Sequence, residues 1–170
     1  MKTLYILGSP NKNGATQALF SFFNQKHMGK ALWVYDKKIK PCIGCDRCQK
    51  EKKCFIKDDM VEIYKAIKEA SLIVFFSPIY FFGFPAPLKA LIDRTQVFWH
   101  HPLKKEKKLL LALLGEQSNQ FFEPFYQKLW SYIAHNLGAL KEEFLLMGNV
   151  QKPFVFSQNL LQQGEDFFKA

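Results

Sequence analysis

The sequence predicts an α/β protein built on a doubly wound, five-stranded parallel sheet with helices on both faces. Three observations carry that expectation. Short, wholly apolar runs alternate with segments of helical period; the runs lack the in-and-out alternation of half-exposed strands; and loops rich in Gly, Ser, Pro and Asn follow several of them. At 170 residues and 48% hydrophobic composition, the chain is long and apolar enough for one well-filled core. Residues 1–170 are therefore read as a single domain carrying a cysteine-rich insertion at 41–58.

Each element follows from its local pattern. Thr3 to Leu7 is a continuous apolar run ending in Gly8-Ser9-Pro10, the signature of a strand buried on both faces. Ala18, Leu19, Phe22 and Phe23 recur at helical spacing, which predicts a helix over Ala15 to Lys26. Leu32 to Tyr35 is a second strand, and Asp59 to Glu69 a helix with Met60, Ile63 and Ile67 on one face. Leu72 to Phe76 is a third strand. A helix over Pro85 to Val97 opens on proline, which a first turn tolerates. Leu109 to Leu114, Phe121 to Leu137, Phe144 to Met147 and Gln158 to Phe168 complete the series as strand, helix, strand and helix. Parallel neighbours need crossover connections, so this alternation predicts right-handed β-α-β units.

Composition bounds function less tightly. The formal charge of +9 implies attraction to anions: nucleotides, acidic proteins or nucleic acid. The lysines cluster at 37 to 40, 50 to 53 and 104 to 108 rather than along one helix face, which favours solvated loops over a nucleic-acid groove. The apolar run after Met1 is too short and wrongly flanked for a signal peptide or a membrane span, so a cytoplasmic protein with no membrane partner is expected.

In an open parallel sheet, ligands sit beyond the carboxyl ends of the strands. The loop after the first strand carries Ser9, Asn11, Asn13, Gly14, Ala15 and Thr16, whose hydroxyls, amides and free backbone N–H groups suit a phosphate at a helix N-terminus. It has neither the Walker lysine pattern nor Gly-x-Gly-x-x-Gly, which turns the reading away from ATP hydrolysis and from a dinucleotide fingerprint. An ordinary capped turn is the competing reading. The loop after the third strand, Pro78, Ile79, Tyr80, Phe81 and Phe82, sets aromatic faces at a strand end, where they suit a flat conjugated ring. Core aromatics are the competing reading in a chain with 18 phenylalanines.

All four cysteines, Cys42, Cys45, Cys48 and Cys54, lie in one short segment with the spacing C-x2-C-x2-C-x5-C. That compact run resembles the thiolate set that wraps a 4Fe-4S cluster, whereas structural zinc more often uses two separated pairs. A cluster, zinc and free thiols all stay open on spacing alone. His27, His100, His101 and His135 do not stand at acid/base spacing and are read as structural, and no hydrolytic site emerges.

Taken together, Gly8-Ser9-Pro10 with Asn13-Gly14 and Thr16, Cys42-Ile43-Gly44-Cys45-Asp46-Arg47-Cys48 leading to Cys54 and Asp58-Asp59-Met60, and Ser77-Pro78-Ile79-Tyr80 leading to Lys89 and Asp93-Arg94 resemble the NADPH-dependent FMN reductase and iron-sulfur flavoprotein group of the flavodoxin-like superfamily. The resemblance covers roughly the first hundred residues. It implies FMN, with its phosphate at the first loop and its ring against Pro78 to Phe82, a contact near Gly115, and a cluster on the four cysteines. It also implies NAD(P)H or a ferredoxin-like carrier as redox partner, and assembly as a homodimer or homotetramer. Two positions depart from the pattern: Asn11 stands where the group usually has arginine, and Ala15 where it has asparagine. Leu114-Gly115-Glu116-Gln117 replaces the usual Thr and Gly after the fourth strand. A zinc-stabilised nucleic-acid-binding protein and a cofactor-free interaction module remain the competing functions.

Overall fold

The computed structural model describes residues 2–115 and 122–170. Five strands, β1 (Thr3–Leu7), β2 (Lys30–Trp33), β3 (Leu72–Pro78), β4 (Lys107–Leu114) and β5 (Ala139–Met147), form one parallel sheet in the order β2-β1-β3-β4-β5. The described helices are α1 (Ala15–Lys26), α2 (Arg47–Glu51), α3 (Met60–Glu69), α4 (Ala86–Arg94), α5 (Gln96–His100), α6 (Glu123–Asn136) and α7 (Gln158–Lys169). This strand order is that of flavodoxin-like folds.

Two apolar layers sandwich the sheet, because successive side chains of a strand point to opposite faces. Ile6, Phe75 and Leu111 face Ile63 and Ile67 of α3, Leu88 and Leu91 of α4 and Trp130 of α6. Tyr5, Leu7, Phe76 and Leu110 face Leu19 and Phe23 of α1 and Leu161 and Phe168 of α7. The central strands are buried on both faces, which is why they read as unbroken apolar runs.

β1 and α1 have the bounds that their patterns predict. Elsewhere the structure differs, each time for an identifiable reason. Strand two starts at Lys30, whose exposed side chain gives no hydrophobic signal, and Val34–Asp36 forms a 3-10 turn instead of continuing it. The expected helix over Pro85 to Val97 divides at Thr95, where the Thr95 N–H and Oγ1 both donate to Ile92 O and Asn136 Nδ2 from α6 bonds Thr95 Oγ1 at 2.9 Å. β5 begins at Ala139, five residues before the apolar run, because the exposed Lys141 and Glu142 and the half-buried Glu143 pair with β4. The cysteine segment contains one helical turn, α2, that periodicity does not reveal. The expected start of the fourth helix at Phe121 lies outside the described residues. Among the described residues, no helix is long and apolar enough to cross a membrane.

Candidate functional site

Helix α1 follows β1 onto one face of the sheet and α4 follows β3 onto the other, so the crevice between these adjacent strands is the topological switch point. A cavity of about 490 Å³ opens there. Its first wall is the loop after β1: Ser9, Asn11, Gly14, Ala15 and Thr16. Gly8 extends the ladder by donating to Phe76 O at 2.8 Å, and a Cβ at Gly8 would meet Leu88 Cδ2 at 2.6 Å, so a larger residue here would have to displace the buried Leu88 side chain. The loop then folds on itself. Asn11 N–H donates to Ser9 Oγ at 3.2 Å, and Asn13 N–H to Asn11 Oδ1 at 2.9 Å. Gly14 is the N-cap of α1 and brings no capping side chain, so the first-turn N–H groups, which have no intrahelical partner, stay available to an anion. Ser9 and Thr16 are buried. Asn13 is exposed and does not line the cavity.

The facing wall is Pro78, Ile79, Tyr80, Phe81 and Phe82. Tyr80 and Gly83 exchange both backbone hydrogen bonds, at 3.0 and 2.9 Å, around a two-residue turn. The turn residues Phe81 and Phe82 have φ of 48° and 58°, a region that bulky side chains avoid at a cost of order 1–3 kcal/mol each. Phe81 is fully exposed, and the Phe82 ring tilts against Phe122 with centroids 4.6 Å apart. Two aromatic residues thus stand on strained backbone at the cavity mouth.

Gly115 closes the floor, donating to Met147 O at 2.9 Å and accepting from Val150 N–H at 3.0 Å. Leu114, Val150 and Phe154 also line the cavity. Sequence reasoning missed Val150 and Phe154 because they follow β5, the strand whose loop has no phosphate-type or aromatic-run signature; the rule that ligands meet strand ends was the available signal.

The four cysteines line a second cavity of about 390 Å³. Cys42 and Cys45 are exposed and Cys48 and Cys54 half-buried. Burial pushes the Cys48 thiol up, and the neighbouring Cys54, Cys42 and Cys45 add to it, so the four sulfurs feel one another. Gly44, Asp46 and Lys52 all have positive φ, which bends this segment around the cavity instead of along a regular element. Among the described residues, no three His, Cys, Asp or Glu side chains stand close enough for a single metal ion. His101 Nε2 lies 3.1 Å from Cys48 O and 3.0 Å from Gln49 O, tying α2 to the end of α5.

The adjacent Asp93 and Arg94 separate into two pairs. Asp93 meets Lys89 on the surface, and Arg94 is buried against Asp58, 2.7 Å from Nη1 to Oδ2. Burial alone would raise the Asp58 carboxyl, yet hydrogen bonds from Arg94 and from the N–H groups of Lys40 and Met60 outweigh it and hold Asp58 below the usual carboxylate range.

Residues 1–145 match the NADPH-dependent FMN reductase family. An iron-sulfur flavoprotein of Methanocaldococcus jannaschii is 42% identical over 101 residues, which cover 56% of this chain and 52% of that protein. An iron-sulfur flavoprotein of Methanosarcina thermophila is 30% identical over 141 residues, covering 78% and 74%. The chain spans about half the length of the first of these relatives. Among solved structures, the NAD(P)H:quinone oxidoreductase from Methanothermobacter marburgensis superposes with a TM-score of 0.72 at 12% identity, over 99% of this chain and 92% of that one. The apo form of an NADH:FMN oxidoreductase superposes with a TM-score of 0.64 at 16% identity, over 99% and 86%. With the family match running from β1 into β5 and the same fold in these neighbours, the chain belongs to the NADPH-dependent FMN reductase family.

Proposed function

We propose that this protein is an FMN-binding oxidoreductase whose four cysteines hold a 4Fe-4S cluster. One observation carries the flavin part: a loop that presents free helix N-terminal amides and a strained aromatic turn face each other across one cavity at the switch point of the sheet. Its volume falls in the range of small-molecule sites, about 300–1,000 Å³. The residues fit FMN at both ends. Gly14 has no side chain to fill the cradle, where a Cβ would come within 3.1 Å of Asn11 Nδ2, and the buried Ser9 and Thr16 hydroxyls sit beside it.

When bound, FMN supplies a ring that accepts hydride from reduced nicotinamide and releases electrons singly or in pairs. The chain's residues bind and orient. Ser9, Asn11, Thr16 and the Ala15 amide would hold the phosphate, with Gly14, whose own N–H donates to Asn11 O at 3.3 Å, leaving the cradle open and Asn13 shaping the loop from outside. Pro78 and Ile79 would line the polar edge of the ring, Gly115 would allow close approach from the floor, and Tyr80, Phe81 and Phe82 would shield it from water. No side chain acts as nucleophile or as general acid or base.

Cys42, Cys45, Cys48 and Cys54 would hold the cluster, since four thiols lining one cavity suit a cubane. A bound cluster supplies one-electron exchange with a carrier. The charge of +9 suits an acidic, ferredoxin-like partner, and NAD(P)H is the donor that fits the family. Tyr80, Phe81 and Phe82 form an exposed aromatic rim that suits a homodimer or homotetramer, and the cytoplasm is the expected compartment.

The test is the absorption spectrum of anaerobically purified protein, with iron and acid-labile sulfide measured on the same sample. Flavin bands with about four irons per chain support the whole reading. Flavin bands without iron, even after reconstitution, remove the cluster and leave an FMN reductase. A colourless protein that takes up no added FMN overturns the proposal.

A further inference from the structure

We propose that Arg94 is the positioning residue of the four-cysteine site: its two terminal nitrogens clasp both ends of the cysteine loop, and its Nε–H donates to the sulfur-rich group that the thiolates enclose. The identity of that group rests on the cluster reading above; the clasp rests on geometry alone.

Nη1 donates to Lys40 O at 2.8 Å, and Nη2 donates to Ile56 O at 3.2 Å. Lys40 lies two residues before Cys42, and Ile56 two residues after Cys54. One side chain thus closes the base of the loop that carries all four thiols. Asp58 balances the charge, accepting from Nη1 at 2.7 Å and from Nη2 at 3.3 Å, and its Oδ2 also accepts Lys40 N–H at 2.9 Å. The guanidinium is held in turn from its own backbone, since Tyr64 OH donates to Arg94 O at 2.7 Å.

Arginine has five N–H donors in a rigid fork, and the two terminal nitrogens carry four of them. The fifth, on Nε, is buried with no partner, although Arg94 borders the cysteine cavity. A buried donor left unpaired is costly, and a sulfur acceptor in the filled cavity would recover that cost. Hydrogen bonds to cluster sulfurs raise reduction potential, so the same atom would tune the group as well as seat it. Lysine keeps the charge but has one compact ammonium that cannot span both carbonyls and replace Nε–H.

Arg94→Gln and Arg94→Lys, made in the full chain, are compared with wild type by three measurements. These are amide hydrogen exchange of residues 40–58 without iron, iron and sulfide per chain after anaerobic reconstitution, and the midpoint potential of the reconstituted iron signal. Exchange of residues 40–58 is expected to rise about tenfold in both variants while β1, β3 and β4 stay protected. Iron per chain is expected to fall by half or more, and iron retained by the lysine variant to titrate at a lower potential. Unchanged exchange, or a lysine variant that loads iron to the wild-type level at the wild-type potential, overturns the proposal. If wild type takes up no iron while exchange still quickens in the variants, the clasp stands and the cluster reading falls. The lysine variant keeps the buried pair with Asp58 and so serves if the glutamine variant does not fold.

Discussion

Phe81 and Phe82 adopt left-handed backbone where asparagine or glycine would sit without strain. Phe81 touches nothing that its removal would empty, since its side chain is fully exposed. Phe81→Asn is therefore expected to stabilise the FMN-free protein by about 0.5–1 kcal/mol in urea unfolding while weakening FMN binding several-fold in a fluorescence titration. A loss of stability would show that the turn holds no strain. Asp58 makes the opposite case, being costly to lose. Asp58→Asn leaves the Arg94 charge buried and unpaired and is expected to cost about 3 kcal/mol. The native carboxyl titrates below its unfolded value of about 3.9, so its contribution is complete above that pH and fades as pH falls through the depressed native value. Urea midpoints measured from pH 6 down to pH 2 should show an acid limb in wild type that is diminished in Asp58→Asn. Asp58 and Arg94 were legible in the sequence as members of two separate motifs. Their pairing was not, because 36 positions separate them and no local pattern records that they meet.

At the scale of elements, Lys107 shows how a strand can finish a distant helix. It opens β4, is buried, and its Nζ donates to Lys68 O at 3.0 Å and Ala70 O at 2.6 Å, at the carboxyl end of α3. A cation there satisfies carbonyls that the helix cannot pair and meets the negative end of its dipole. Lys107→Met is expected to cost about 1–3 kcal/mol, seen in thermal or urea unfolding, with faster hydrogen exchange at the end of α3. Read as sequence, Lys107 belonged to a run of surface lysines. Elements with one apolar face or a wholly buried span, such as β1, α1 and α3, were legible because burial sets their period. Edge strand β5 was legible only over its last, apolar residues, and the break between α4 and α5 depends on Asn136 arriving from α6.

For the molecule as a whole, FMN bound at the switch point should stabilise the native state by mass action. At a free concentration 100 times Kd the gain is about 2.7 kcal/mol, read as a rise in Tm that grows with the logarithm of FMN concentration. A Tm that is indifferent to FMN would argue against the cavity as its site. The cysteine segment should respond separately. It packs against α5 and Arg94 rather than against the switch-point cavity, so Arg94 variants are expected to change iron content while leaving the FMN-dependent rise in Tm intact.

From its sequence alone this protein was legible as a parallel α/β chain with polar and aromatic loops at the ends of β1 and β3 and a compact four-thiol segment. Those features are local: alternation of buried runs with helical periods, turn chemistry, and cysteine spacing each lie within a few neighbouring residues. Only the tertiary structure decided that Val150 and Phe154 complete the first cavity, that Arg94 closes the base of the cysteine loop, and that Phe81 and Phe82 sit in left-handed backbone. Hydrophobic period states which face a residue buries, not which distant group it meets, and backbone strain appears only after strand pairing has set where the chain must turn.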